Sequence, residues 1–327
     1  MKNFALTGVA GYIAPRHLQA IKDTGNRLEA AVDPHDSVGI LDRFFPHASY
    51  FTEFERFDRH VEKLRRGPEE NRIHYMSICT PNHLHDAHIR FALRIGAHAI
   101  CEKPLVLKPW NLDALEEMEQ ELGGKVSTIL QLRVHPALIA LRQSLASGNG
   151  RRKHEVCLTY VTSRGPWYQY SWKGSVERSG GLATNIGVHF FDLLLWLFGG
   201  VGYSIVHVAA TDKMSGFLEL QHANVRWFLS TDRDDLPEEE VAAGKSTYRS
   251  ITVDGNEVQF SEGFTDLHTR VYEETLAGRG FGIADARPSI QLVYDIRNAR
   301  PSNEADHIHP FLAPKNGHQH RHELLQA

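Results

Sequence analysis

In the stretch AHAICEKPLVLKPW (97–110) an apolar run ends at Cys101, and a glutamate, a lysine and a proline follow without a break. Most lysines at such a place are solvated loop residues. A lysine fixed at the mouth of a buried parallel strand is instead a candidate catalytic ammonium, because burial and neighbouring charge tune its proton affinity. A second segment, SGGLATNIGVHFFDLLLWLFGG (179–200), carries two glycines and then Asn185, His189 and Asp192 at spacings of four and three. The spacing of four puts Asn185 and His189 on one helical face. A lone histidine in so apolar a helix is ordinarily a satisfied core residue. An amide, an imidazole and a glycine-rich entry together point to a polar site, and Lys103 and His189 are the candidate catalytic pair.

The elements around these residues define the frame. Apolar strand-like runs at 3–9, 28–33, 73–79, 97–101 and 126–132 alternate with helical patterns such as 87–96 and 109–122. Near-continuous apolar strands between amphipathic helices predict a parallel sheet covered on both faces, the doubly wound α/β nucleotide-binding architecture. After a helix at 135–147 the pattern changes to longer strand-like runs at 154–163, 203–210, 217–221 and 224–230, and to a hairpin over 248–261 with Asp254-Gly255 at its turn. A second, α+β domain with a large, mostly antiparallel open sheet is expected. The expected boundaries are 1–133 for the nucleotide-binding domain, 134–300 for a substrate-binding and oligomerisation domain, and 301–327 for a tail. The acidic run DRDDLPEEE (232–240) reads as a solvated loop.

The first strand runs into GVAGYIAPRH, where a dinucleotide fingerprint G-x-G-x-x-G keeps its first glycine, Gly8, and gains Gly11 out of register. Both let backbone amides approach a pyrophosphate at a helix start. Asp33 ends the second strand, where a carboxylate accepts hydrogen bonds from ribose hydroxyls and repels a 2′-phosphate. The cofactor expected is NAD. CTPNHLHDAH places Pro81 and Asn82 at the carboxyl edge of the sheet. His83, His85 and His88 lie close in sequence, but with 20 histidines in the chain and no nearby cysteine or carboxylate to complete a zinc set, no metal is expected.

With 36 basic and 40 acidic residues in 327, the net charge is −4, and nothing calls for nucleic acid. No run reaches the roughly 18 consecutive apolar residues of a membrane helix, so no membrane partner is expected. Three cysteines without CxxC spacing point to a reducing cytosol.

Gly8-x-x-Gly11, Glu102-Lys103-Pro104, Trp172-Lys173 and Gly180-Gly181…Asn185…His189…Asp192 resemble the Gfo/Idh/MocA oxidoreductases over nearly the whole chain to about residue 300. Within that family GVAGYIAPRHLQAI, NHLHDAHIRFALRIGAHAICEKPLVL, QLRVHP and WYQYSWKGS are similar to the bacterial branch that oxidises the sugar 3-hydroxyl of UDP-N-acetylglucosaminuronic acid for lipopolysaccharide O-antigen. The resemblance implies NAD, a UDP-sugar uronate substrate, 2-oxoglutarate as a reoxidant of NADH in some members, and often a homotetramer built on sheet faces. It places Lys103 beside the nicotinamide, where a lysine stabilises an alkoxide or accepts its proton. Carried onto this chain, the cofactor lies against Gly8, Gly11, Tyr12, Ile13 and Asp33 of the first βαβ unit. It also meets Thr80, Asn82 and His85 after the next strand, then Glu102, Lys103, Gln131, Trp172 and Lys173. Lys103, Arg164, Tyr168, Ser171, Lys173, Asn185 and His189 face the substrate. Many members carry Asp where this chain has Asn185. Two rivals stand beside this reading: another sugar or inositol dehydrogenase of the same family, and a nucleotide-binding regulator without turnover.

Overall fold

A computed structural model describes residues 1–147, 152–260, 266–304 and 306–312. Six parallel strands, β1 (Asn3–Thr7), β2 (Arg27–Val32), β3 (Ser49–Phe51), β4 (Tyr75–Ile78), β5 (His98–Cys101) and β6 (Val126–Thr128), form one sheet in the order β3-β2-β1-β4-β5-β6. The doubly wound sheet expected from the sequence is present. Its order reverses between β1 and β4, which opens a crevice at the carboxyl ends of those strands. The edge strand β3 was not legible because it is only three half-buried residues, SYF.

The helices of ten residues or more among the described residues are α1 (Ala14–Asp23), α2 (Phe54–Arg66), α3 (His85–Arg94), α4 (Trp110–Leu122), α5 (Pro136–Ser147), α6 (Val188–Phe198), α7 (Leu267–Leu276) and α8 (Ile283–Asn298). Pro15 sits in the first turn of α1, where its missing N–H costs nothing. Gly123 closes α4 in the left-handed region at φ +72°.

The second sheet contains β7 (His154–Thr162), β8 (Val201–Ala209), β9 (Lys213–Leu220), β10 (Ala223–Ser230), β11 (Thr247–Val253) and β12 (Asn256–Glu257), in the order β12-β11-β7-β10-β9-β8. Only β7 and β10 run parallel; the other pairs are antiparallel. The hairpin turn falls at Asp254 and Gly255, both at positive φ (51° and 81°), as a two-residue I′ turn requires. One face of this sheet carries Val156, Leu158, Val225, Trp227 and Leu229 against Phe190, Phe191 and Leu194 of α6 and Leu292, Val293 and Ile296 of α8. Each such side chain, fully buried, contributes about 1.5–3 kcal/mol, enough to make α6 the spine of the second domain.

The segment Val176–Phe198 is long and apolar enough to cross a membrane by composition, yet it is mostly buried and is not one straight helix. Gly180 and Gly181 interrupt it at φ +84° and +76°, and a π-helical turn (Ala183–Gly187) precedes α6. After the second sheet, α7 returns to cover α1: the rings of His17 and His268 meet edge to face at 5.2 Å, and Tyr272 stacks on Phe4. The acidic run is not a featureless loop. It forms a 3-10 turn (Arg233–Asp235) and a short helix (Glu238–Ala242), because Asp235 accepts from Ser230 Oγ at 2.6 Å and pairs with Lys213 at 2.8 Å.

The described part of the tail lies on the other face of the second sheet. His307 stacks on Phe217, Phe311 stacks on Tyr248, and His309 is wholly buried against Phe228, with Nε2 3.2 Å from Cys157 Sγ and Thr159 Oγ1. Residues 313–327 lie outside the described residues.

Burial pushes the pKa of His309 down from 6.5 to about 4, and that of His88 likewise to about 4. Their unfolded forms bind protons that the folded forms refuse. The stabilisation is therefore complete above pH 6.5 and lost as pH falls towards 4. His309 accounts for about 3–4 kcal/mol of that loss at most. Thermal melts between these limits are expected to show Tm falling with pH, with a shallower slope in His309→Gln; identical slopes would remove His309 from the account.

Candidate active site

The crevice is built first by the turn after β1. Gly8 has φ +83°, and a Cβ there would lie 2.7 Å from the carbonyl carbon and oxygen of Cys79, so only glycine lets the two loops approach. A Cβ on Gly11 would come within 3.0 Å of the Gly8 carbonyl oxygen. α1 then begins with no capping side chain and no acid in its first turn; its first amides turn back on the loop, Ala14 N–H donating to the Gly11 carbonyl at 3.1 Å and Arg16 N–H to that of Ile13 at 3.0 Å. Asp33 is buried at the end of β2; its Oδ2 accepts from Ala10 N–H (3.0 Å) and its Oδ1 from His35 N–H (2.9 Å). A tight glycine turn, an uncapped helix and a carboxylate with lone pairs remaining fit a dinucleotide. Tyr12 projects from the turn, 88% exposed, and Ile13 behind it is half-buried.

At the end of β5, Glu102 is buried and Lys103 follows with its stem in the wall of the crevice. Burial lowers the Lys103 pKa, Lys173 adds to the lowering, and Glu102 opposes it. Lys103 Nζ donates to the carbonyl oxygen of Asn185 at 3.3 Å, across to the second domain. Burial would raise the pKa of Glu102, but hydrogen bonds from His17 (3.0 Å) and His268 (2.9 Å) to its Oε1 outweigh that and hold it well below the usual carboxylate range.

The second domain supplies the opposite wall. Asn185 lies inside the π turn, and such insertions re-aim side chains at functional sites. They also break the simple helical register on which Asn185 and His189 would share a face. The Asn185 amide donates to Tyr168 Oη (2.8 Å) and its Oδ1 accepts from Asn82 (3.3 Å); no described bond joins it to His189. Asn82 also donates to the Ser179 carbonyl oxygen at 2.8 Å, so it ties the two domains together beside the crevice. His189 Nδ1 and Gln131 Oε1 are buried without a hydrogen-bond partner among the described residues. Burial, then the charges of Lys103 and Arg249, keep His189 well below its ordinary pKa, so its imidazole is neutral. Arg133, two residues after Gln131, grips Asp192 of α6 through two hydrogen bonds (2.9 and 2.7 Å) and Asp285 of α8 at 3.0 Å. That bidentate grip fixes the turn carrying Gln131 against the helix carrying His189.

The rim is basic and aromatic. Lys173 Nζ lies 5.2 Å from the Trp167 ring and 5.7 Å from that of Trp172, and burial and Arg164 lower its pKa. Arg164 is exposed just after β7.

Several residues expected at the ligands also carry contacts within the fold. His85 is wholly buried, with Nδ1 2.7 Å from the Pro104 carbonyl oxygen and Nε2 2.9 Å from that of Thr80, so it braces the loop that presents Thr80. Both oxygens of Glu102 are engaged behind the cleft, Oε2 by the Lys103 amide at 3.1 Å. The Ser171 hydroxyl donates to the Tyr168 carbonyl and accepts from the Lys173 amide, which shapes the turn presenting Lys173. Sequence reasoning missed His17, His268 and Tyr272 behind Glu102, the interdomain role of Asn82, and Arg249 and Tyr160. The last two are register partners on β11 and β7, and the Tyr160 ring meets His189 edge to face at 6.2 Å. Alternation along those strands is their only sequence signal. His17, Glu102 and His268 offer atoms within 4.8 Å of one another, close enough for a cation, but each is already engaged by the others.

Residues 2–129 match the NAD-binding Rossmann fold of the Gfo/Idh/MocA oxidoreductase family, and residues 153–236 match its C-terminal α/β domain; the chain belongs to that family. It is similar to the WlbA (WbpB) dehydrogenase from Thermus thermophilus solved with NAD and alpha-ketoglutarate, at 54% identity and TM-score 0.91, over 95% of this chain and 100% of that one. The same dehydrogenase solved with NAD and UDP-GlcNAcA matches at 53% identity, TM-score 0.91 and the same coverage. The WlbA dehydrogenase from Bordetella pertussis shares the fold at 21% identity and TM-score 0.73, over 90% of this chain and 94% of that one. Inositol 2-dehydrogenase of Rhizobium meliloti is 30% identical over 42% of this chain; the match spans only 41% of that relative.

The buried Asp33 carboxylate is expected to set cofactor choice. A 2′-phosphate against it is disfavoured by at least about 1–2 kcal/mol, so kcat/KM for NAD is expected to exceed that for NADP by roughly tenfold or more. Equal values for the two would contradict this assignment.

Proposed function

We propose that this chain oxidises the 3-hydroxyl of UDP-N-acetylglucosaminuronic acid to the 3-keto sugar, in the supply of sugars for O-antigen. The observation carrying this reading is the meeting of Lys103 and a neutral His189 beside the nucleotide crevice. The basic side chains Lys173 and Arg164 form the rim on the substrate side. Intact acid–base groups favour an enzyme over a regulator.

NAD, when bound, takes up the hydride from the sugar carbon. Lys103 in its free-amine form accepts the hydroxyl proton at Nζ, and burial makes that form accessible by lowering its pKa. His189, neutral and with Nδ1 unpartnered among the described residues, hydrogen-bonds the hydroxyl and orients it. Asn185, held by Tyr168 and Asn82, keeps Lys103 aimed through its backbone carbonyl. Lys173, Arg164 and Tyr168 receive the substrate's carboxylate and diphosphate. The same basic groups suit 2-oxoglutarate, a dianion, as the acceptor that returns NADH to NAD.

Residues 1–133 serve the cofactor, 134–300 the substrate and assembly, and 301–327 form a tail, of which residues 301–304 and 306–312 lie over the second sheet. The protein works as a homotetramer in the cytosol, without nucleic-acid or membrane partners. The edge strand β8 pairs with β9 alone among the described strands, and its Val201 and Tyr203, 41% and 48% exposed, are apolar side chains that assembly would cover.

Two outcomes test the reading. UDP-N-acetylglucosamine, which lacks the carboxylate, is expected to be poorer than its uronic acid by on the order of 10⁴-fold in kcat/KM, because donors that the bound sugar covers are left unpaired. Comparable NADH formation from both sugars places the chain in another branch of the family. Lys103→Met is expected to lower kcat by roughly 10²–10⁴, and His189→Asn by less. Near-normal turnover in Lys103→Met with none in His189→Asn reverses their roles.

A further inference from the structure

Behind Lys103 lies a closed polar cluster drawn from four elements, the end of β5, α1, α7 and β4. Glu102 Oε1 faces Nε2 of His17 on α1 and Nε2 of His268 on α7, while Oε2 holds the Lys103 amide. His17 Nδ1 lies 2.7 Å from Tyr272 Oη, which lies 2.6 Å from Ser77 Oγ on β4. All of these side chains except Lys103 are buried. We propose that His17, His268 and Tyr272 are positioning residues: they keep Glu102 an anion, and that anion holds the Lys103 backbone and sustains the proton affinity of its amine. The proposal rests on Lys103 being the acid–base group.

The geometry sets the direction of the chain. An ionised carboxylate only accepts, so His17 carries its proton on Nε2. A neutral ring then accepts at Nδ1. Tyr272 must therefore donate to His17 and accept from Ser77. Burial lowers the His17 pKa, which agrees with a neutral ring. Two imidazole donors on one oxygen and a backbone amide on the other satisfy a carboxylate that burial would otherwise neutralise. The groups facing Glu102 are His17 from α1, His268 and Tyr272 from α7, Cys79 after β4, Cys101 of β5, His85 of α3, His189 of α6 and Lys103 itself. Those facing Lys103 are Glu102, Lys173, His85 and His189. Glu102 is the only anion among them.

Removing that charge leaves Lys103 to burial and Lys173, so its proton affinity falls. In the oxidative direction kcat/KM rises as the amine loses its proton, and this acid limb then moves to lower pH.

The experiment is the pH profile of kcat/KM for Lys103→Met, Glu102→Gln, His268→Leu, His268→Gln and Tyr272→Phe, with circular dichroism and NAD affinity checked for each. The limb is expected to vanish in Lys103→Met. It is expected to move down by about one pH unit in Glu102→Gln and by less in His268→Leu and Tyr272→Phe. In His268→Gln, which restores a donor near Nε2, the limb is expected to return towards its wild-type position. A limb that persists in Lys103→Met overturns the assignment of Lys103 itself. A limb lost there but unmoved in Glu102→Gln and His268→Leu, with kcat merely lower at every pH, overturns the positioning role and leaves Lys103 as the base. Where Glu102→Gln does not fold, the isosteric Tyr272→Phe carries the test: a downward shift supports the role and an unmoved limb refutes it.

Discussion

A lysine that is to exchange a proton at the end of a buried strand needs an environment that lowers its pKa without discarding its proton altogether. Here burial and Lys173 lower it, and the ionised Glu102 next in the chain holds it up. Keeping a carboxylate ionised inside a protein is costly unless its lone pairs are filled. Much of the architecture around β5 follows from that requirement. α1 must bring His17 inward from the nucleotide turn, and α7 must return from beyond the second sheet to supply His268 and Tyr272. The first domain is therefore completed by a helix that the chain adds only after building the second.

The two walls of the crevice are joined by few but specific contacts. Asn82 reaches Ser179 and Asn185, Lys103 reaches the Asn185 carbonyl, and Arg133 links the turn after β6 to α6 and α8. Three of these converge on or beside the π turn at 183–187, whose irregularity lets one backbone carbonyl and one amide face the first domain. Gly180 is required at its approach, since a Cβ there would lie 2.6 Å from Thr184 Cγ2. The glycine-rich entry is thus a matter of clearance at a domain junction.

Electrostatics separates two basic side chains that look equivalent in the sequence. His189 is buried near two cations, Lys103 and Arg249, and stays neutral; Lys103 is buried near one anion and keeps a proton that it can exchange. The same chemistry explains the fate of the other histidines. His85 and His309 are buried and tied to nearby carbonyl or hydroxyl groups, and serve as struts, which is why a count of histidines carried little meaning.

The sequence by itself determined what depends on short-range pattern. Alternating apolar strands and helices fixed the first sheet, Asp254-Gly255 fixed the hairpin, and Gly8, Asp33 and the Glu102-Lys103-Pro104 run marked the site. Each is a local rule: strand periodicity, positive φ, or a charge at a strand end. Tertiary structure decided the rest. Glu102 finds its partners 85 and 166 residues away in the chain, and no local rule links them. The π turn altered a face that regular helical spacing had drawn, and the fold gave Ser171, His85 and Glu102 internal hydrogen bonds that no local pattern announced. The reason is physical: secondary structure follows from nearest neighbours along the chain, whereas the protonation and partners of a buried polar group follow from whatever the fold packs against it.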